Sequence, residues 1–141
     1  TINAPIEKIW QALSEIDWLE KYDPTVKKST ALTGAKSGIG TRRKVEMLDG
    51  KNWFEESVTE FRVNEALTYE LTACSFPIHK LRHSYSFEKT EGQTTVKQVR
   101  AYTVTLGLVG KLLDLIVIKK QSDNGIKKFL AGLKSFTERS N

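Results

Sequence analysis

The last third of this chain is built on a different period from everything before it. With Ile118 at zero on a helical wheel and about 100° per residue, Gly125, Phe129, Gly132, Leu133 and Phe136 fall within about 60° of it. Lys119, Lys120, Asp123, Lys127, Lys128, Lys134 and Glu138 fall elsewhere. This predicts one long helix, from about Gly110 to Arg139, with a single apolar stripe. Such a stripe has to be covered, and the residues available to cover it, from Val26 onward, follow a period of two.

Six strands are predicted, near 26–33, 40–48, 53–62, 67–74, 80–89 and 94–105. Asp49-Gly50 is the strongest hairpin signal between them, and Glu91-Gly92 is a second. Gly34, Gly38 and Gly40 make a looser connection and Asn64-Glu65 another. Hairpins in succession, without helices between, describe an antiparallel meander. Ahead of them, Asn3-Ala4-Pro5 opens a helix with Asn3 as N-cap and Pro5 in its first turn. Ile6, Ile9, Trp10 and Leu13 make its buried face. A second short helix, near Ile16 to Lys21, stops before Asp23-Pro24, and Trp18 and Tyr22 read as packing residues. The fold class is α+β: a curved antiparallel sheet wrapped around the C-terminal helix, one domain over 1–141.

Alternation assigns the faces. Arg43, Val45 and Met47 share one face of the second strand, and Phe54, Glu56, Val58 and Glu60 one face of the third. Tyr69, Leu71 and Ala73 follow in the fourth, and Leu81, His83, Tyr85 and Phe87 in the fifth. In the last strand Val96, Gln98, Arg100, Tyr102 and Val104 line up. The inward sets therefore mix aromatic and branched residues with Arg43, Glu56, His83 and Arg100. Burying such a group unpaired costs several kcal/mol, so these four imply mutual pairing or a wet interior. Counting outward from Asp49-Gly50 puts Arg43 opposite Glu56, and a direct or one-water contact is expected there. Gly125 falls on the inward face of the long helix, where it leaves room for something beside it; Asn124-Gly125 could instead mark a break between two helices.

Chemistry-bearing motifs are sparse. Gly34-x-x-x-Gly38-x-Gly40 lacks the lysine and helix of a phosphate loop. One cysteine and two histidines make no zinc pattern, so neither metal nor cofactor is expected. Cys74 has no partner for an internal disulfide, which points to a reducing, cytoplasmic setting, and alternation turns it away from His83. The 141 residues carry a net charge of +5, spread out apart from the helix lysines, which read as a solvated face rather than a nucleic-acid surface. The apolar run from Leu106 to Ile118 is interrupted by Lys111 and Asp114 and is too short to span a bilayer.

Several stretches resemble the START-like, helix-grip superfamily, in its bacterial polyketide cyclase/dehydratase branch, with distant similarity to the plant abscisic acid receptors. They are Asn3-Ala4-Pro5-Ile6-Glu7-Lys8-Ile9-Trp10, Gly40-Thr41-Arg42-Arg43, Asp49-Gly50 followed by Glu55 or Glu56, Tyr69, Phe76-Pro77-Ile78, and Leu130 to Glu138. The resemblance implies a seven-stranded sheet, its first strand preceding Thr1, and a cavity that holds a lipid, hormone or polyketide. The turn at Asp49–Asn52 lacks the Ser-Gly-Leu-Pro latch of the plant receptors.

The expected function is to bind or carry a small hydrophobic or amphipathic molecule. Its expected contacts are Arg43, Val45, Met47, Glu56, Tyr69, Leu71, Leu81, His83, Tyr85, Arg100, Tyr102, Gly125 and Phe129, with a ligand carboxylate, hydroxyl or carbonyl directed at Arg43. One alternative is a cyclase or dehydratase using Arg43, Glu56, His83 or Tyr85. Another is a module for a protein partner or a membrane surface, built on the helix lysines and Leu106–Ile118. The sequence does not specify an oligomeric state.

Overall fold

A computed structural model describes residues 1–104 and 111–139, with side chains described through Thr103 and again from Lys119. Six strands, β1 (Val26–Ala31), β2 (Arg42–Met47), β3 (Trp53–Arg62), β4 (Ala66–Cys74), β5 (Ile78–Thr90) and β6 (Gln93–Val104), form one sheet in sequence order. Every neighbouring pair is antiparallel. Two helices flank it in sequence, α1 (Ile6–Ser14) and α2 (Lys111–Arg139), with a 3₁₀ turn at Leu19–Lys21. Ile2 adds one antiparallel bridge to Thr94.

The β2–β3 hairpin follows the predicted register. Arg43 pairs with Glu56 and Val45 with Phe54. The turn is held by the Asp49 carboxylate, which accepts the backbone N–H of Lys51 and Asn52 at 2.8 Å each, while Gly50 takes a φ of 72° that a side chain would disfavour.

One continuous helix runs through Asn124-Gly125, with no break. Phe129, Leu133 and Thr137 are buried, whereas Lys127, Lys128 and Lys134 are exposed. Phe129 meets Tyr22 at 5.4 Å between ring centroids and Tyr85 at 5.6 Å. Gly132 crosses the backbone of Tyr22 so closely that a Cβ would lie 1.9 Å from its carbonyl oxygen. On α1 the anticipated face, Ile6, Ile9, Trp10 and Leu13, is buried, and Trp10 packs edge-on against Phe61 and Phe87.

Four expectations are corrected. Pro5, not Asn3, is the N-cap of α1, in an extended conformation and without a side-chain cap; the Asn3 N–H instead reaches Glu138 Oε1 at 2.7 Å. The second helix is shorter than expected, a single 3₁₀ turn. In β3 the register shifts between Val58 and Glu60, so Glu60 turns outward to accept from Thr68 Oγ1 and Phe61 takes its place against Trp10. In β4 the register shifts again: Leu71 pairs with Glu56 but Cys74 pairs with Phe54. The extra residue flips the alternation. Cys74 is therefore on the same face as Phe54, packed against the core, and its thiol contacts the Phe76 and Ile78 carbonyls at 3.2 and 3.3 Å. Within the run Leu106–Ile118, residues 106–110 lie outside the described residues, and 111–118 form the start of α2. No helix among the described residues is long and apolar enough to cross a membrane.

Candidate functional site

Between the sheet and α2 lies a half-open cavity of about 470 Å³. Its walls come from the start of β1, from β2, β3, β5 and β6, from the β4–β5 connection, and from one face of α2 between Gln121 and Phe129. At one end the lining is exposed: Asp49, Asn52, Pro77, Gln121, Asn124 and Lys128. At the other it is buried: Arg43, Glu56, His83, Tyr85 and Phe129. The cavity thus has a solvated part and a buried part.

The inner end is held by an ion pair. Arg43 donates from Nε to Glu56 Oε1 at 2.7 Å, and its Nη2 lies 2.6 Å from the same oxygen. Side-chain exposures of 3% and 2% show that this contact is not water-mediated surface pairing. Arg43 Nη1 also donates to the Ile16 carbonyl at 3.3 Å, and the guanidinium lies over the Tyr69 ring, 4.1 Å from its centroid. Burial works against the charge on Arg43, but the Tyr69, Glu56 and Tyr22 oxygens more than offset it, and its pKa is raised. Tyr69 donates its hydroxyl to the Leu13 carbonyl at 2.6 Å, and burial pushes its pKa up to about 12. Burial likewise raises Tyr22 and Tyr85, so all three phenols are neutral.

The β5–β6 wall is different. Arg100 stands directly opposite His83, as Tyr102 does Leu81 and Gln98 does Tyr85. Arg100 Nη1 reaches across to α2, donating to the Ser122 carbonyl at 3.3 Å and to Ser122 Oγ at 3.1 Å. Its Nε is buried without a partner among the described residues, as is His83 Nε2. Burial, then the Arg100 and Arg43 charges, depress the His83 pKa well below the ordinary histidine value, so the imidazole is neutral. Gly125 packs beside this group: a Cβ there would meet only Arg100 Nη1, at 3.6 Å.

Of the residues anticipated from sequence, Arg43, Met47, Glu56, Leu81, His83, Tyr85, Arg100, Tyr102, Gly125 and Phe129 are brought to the cavity wall. Val45, Tyr69 and Leu71 are not. Val45 is fully enclosed in the core, Tyr69 is turned toward Leu13, and Leu71 packs against the core cluster. Residues not anticipated also line it, among them Leu19, Asp23, Phe54, Phe76, Ile78 and Ser122. Phe54 shares its strand face with Glu56, and Ser122 lies seven residues before Phe129 on the α2 stripe; both carried a usable periodicity signal. Leu19 and Asp23 come from a connection with no periodicity to read. Among the described residues, no group of three or more His, Cys, Asp or Glu could hold a metal ion.

A family model described as polyketide cyclase / dehydrase and lipid transport matches residues 1–138. No curated protein matches the chain by sequence. Among solved structures, the chain is similar to TTHA0849 from Thermus thermophilus, at 19% identity and a TM-score of 0.81, covering 99% of this chain and 94% of that one. A START superfamily protein from Mycobacterium smegmatis matches at 19% identity and a TM-score of 0.77, covering 99% and 94%. Ara h 8.0201 matches at 17% identity and 0.69, covering 96% and 93%. At these identities the likeness speaks to the fold.

Proposed function

Since the chain belongs to the polyketide cyclase / dehydrase and lipid transport family, within the START-like helix-grip fold, we propose that it binds and carries a small amphipathic molecule in the cavity under α2. The observation that carries this reading is the cavity itself: about 470 Å³, partly open to solvent, with Leu19, Val26, Phe54, Leu81 and Phe129 on its walls. Apolar walls with a few convergent polar groups are the general form of a small-molecule site. A carrier is favoured over a cyclase or dehydratase by the state of the charged residues. Arg43 and Glu56 are bound to each other, and Arg43 is further tied to Ile16 and Tyr69. A general acid or base has to be free to exchange a proton with substrate, and the two charged groups at the inner end are held by each other. The reading places the protein in the cytoplasm, where a lone thiol such as Cys74 stays reduced.

The test is native mass spectrometry of the protein purified without detergent, paired with thermal shifts across a panel of fatty acids, fatty alcohols, sterols and aromatic polyketides. A bound small molecule, or a stabilising shift from at least one amphipathic class, is expected. The absence of both adduct and shift would refute the proposal, and turnover of a panel compound that His83→Ala abolishes would replace it with the enzymatic one.

A further inference from the structure

Among the described residues, one partly buried cation on the cavity wall is left without a counter-charge in contact. Arg43 is spent on Glu56, and Lys128 stands exposed at the mouth. Arg100 is partly buried and held only by neutral oxygens, both from Ser122 and both on Nη1. Its Nε is buried with no partner, and its Nη2 makes no hydrogen bond to any described residue. The Nε–Nη2 edge of a guanidinium is a planar fork that takes a carboxylate through two parallel hydrogen bonds.

The carboxylates along the wall are engaged elsewhere. Glu56 holds Arg43. Asp23 Oδ1 accepts the Thr25 N–H at 2.9 Å and the Thr25 hydroxyl at 2.7 Å. Asp49 is committed to the β2–β3 turn. His83 supplies the second, independent observation: directly opposite Arg100, only 8% exposed and on the cavity wall, it carries a buried nitrogen, Nε2, without a partner. Groups of this kind are normally satisfied inside a protein. Two adjacent unsatisfied groups, on residues that both line the cavity, indicate that something else completes them.

We propose that Arg100 and His83 form the head-group subsite of the cavity and that its ligand is a monocarboxylic acid with an apolar body. The carboxylate lies on the Nε–Nη2 edge of Arg100 and accepts a further hydrogen bond from His83, while the body runs along Leu81, Tyr102 and Phe129. This moves the ligand's polar end from Arg43, where the sequence pattern had put it, to Arg100. The proposal rests on the cavity being a ligand site, and the test separates the two.

Decanoate and decan-1-ol share an apolar body and differ in the head group. Isothermal titration calorimetry on the wild-type protein should find decanoate bound at least about tenfold more tightly, and Arg100→Gln should abolish that preference while leaving decan-1-ol within about threefold. Should Arg100→Gln fail to fold, the wild-type comparison and the His83 ring ¹⁵N resonances decide: they should shift with decanoate and not with decan-1-ol. Binding of decan-1-ol as tight as decanoate would overturn the subsite and leave the cavity reading intact. An unchanged preference in Arg100→Gln, or a His83 ring blind to decanoate, would also overturn it. Absence of binding by either compound would overturn both.

Discussion

Arg43 and Glu56 face each other across β2 and β3 with Arg43 Nη2 2.6 Å from Glu56 Oε1 and almost no exposure to water. Removing one member of such a pair leaves an uncompensated buried charge, whereas replacing both with apolar residues does not. Glu56→Gln should therefore cost about 3 kcal/mol in urea denaturation, and the double variant Arg43→Met with Glu56→Leu clearly less. Equal losses for the single and double variants would show that the pair is not electrostatically coupled.

Two glycines of α2 should respond in opposite directions. Gly125→Ala gains helix propensity, about 1 kcal/mol, and its methyl meets only Arg100 Nη1 at an ordinary 3.6 Å. It should be neutral or stabilising. Gly132→Ala drives a Cβ to 1.9 Å from the Tyr22 carbonyl oxygen, a backbone atom that cannot move alone, and should destabilise by about 2–4 kcal/mol despite the same propensity gain. Melting curves of the two variants check this; a tolerated Gly132→Ala would contradict the close approach of α2 to Tyr22.

His83 makes stability depend on pH. The unfolded chain takes up the imidazole proton near pH 6.5, whereas the folded protein, with His83 buried beside Arg100 and Arg43, does so only well below that. Glu56, Asp23 and Asp49 are the acids on the same cavity wall. Above about pH 6.5 both states are neutral at this site and it contributes no slope. Below, the unfolded state holds the extra proton, and stability falls by up to about 1.4 kcal/mol per pH unit. The difference between wild type and His83→Gln isolates this residue from the other titrating groups. A His83→Gln curve parallel to wild type from pH 7 to 5 would contradict a neutral, buried His83.

The parts of this fold legible in the sequence are those governed by local period. Asp49-Gly50 determines the β2–β3 register, and from it the Arg43–Glu56 pair follows by counting. The stripe through Gly125, Phe129 and Leu133 determines which face of α2 is covered. What could not be read are the bulges, because an inserted residue leaves no compositional mark: one turned Glu60 outward and another turned Cys74 inward. Nor could the distant groups that hold Arg43 and Arg100. The Ile16 carbonyl and Ser122 lie 27 and 22 residues away in sequence and reach these arginines only through the packing of whole elements. Which arginine was left unpaired, and so where a ligand's polar end belongs, was for that reason a question for the three-dimensional structure.

The space beside Gly125 is where the proposed small molecule sits. Leucine at this position would project its side chain toward Arg100 and into the cavity, where only Arg100 Nη1 lies within 4 Å of a Cβ. Calorimetric titration of wild type and Gly125→Leu with decanoate and decan-1-ol tests this directly. Saturable binding to the wild type of at least one of the two is expected, with a loss of about tenfold or more in Gly125→Leu and the melting transition retained. Equal binding by both proteins, or no binding by the wild type, would contradict it.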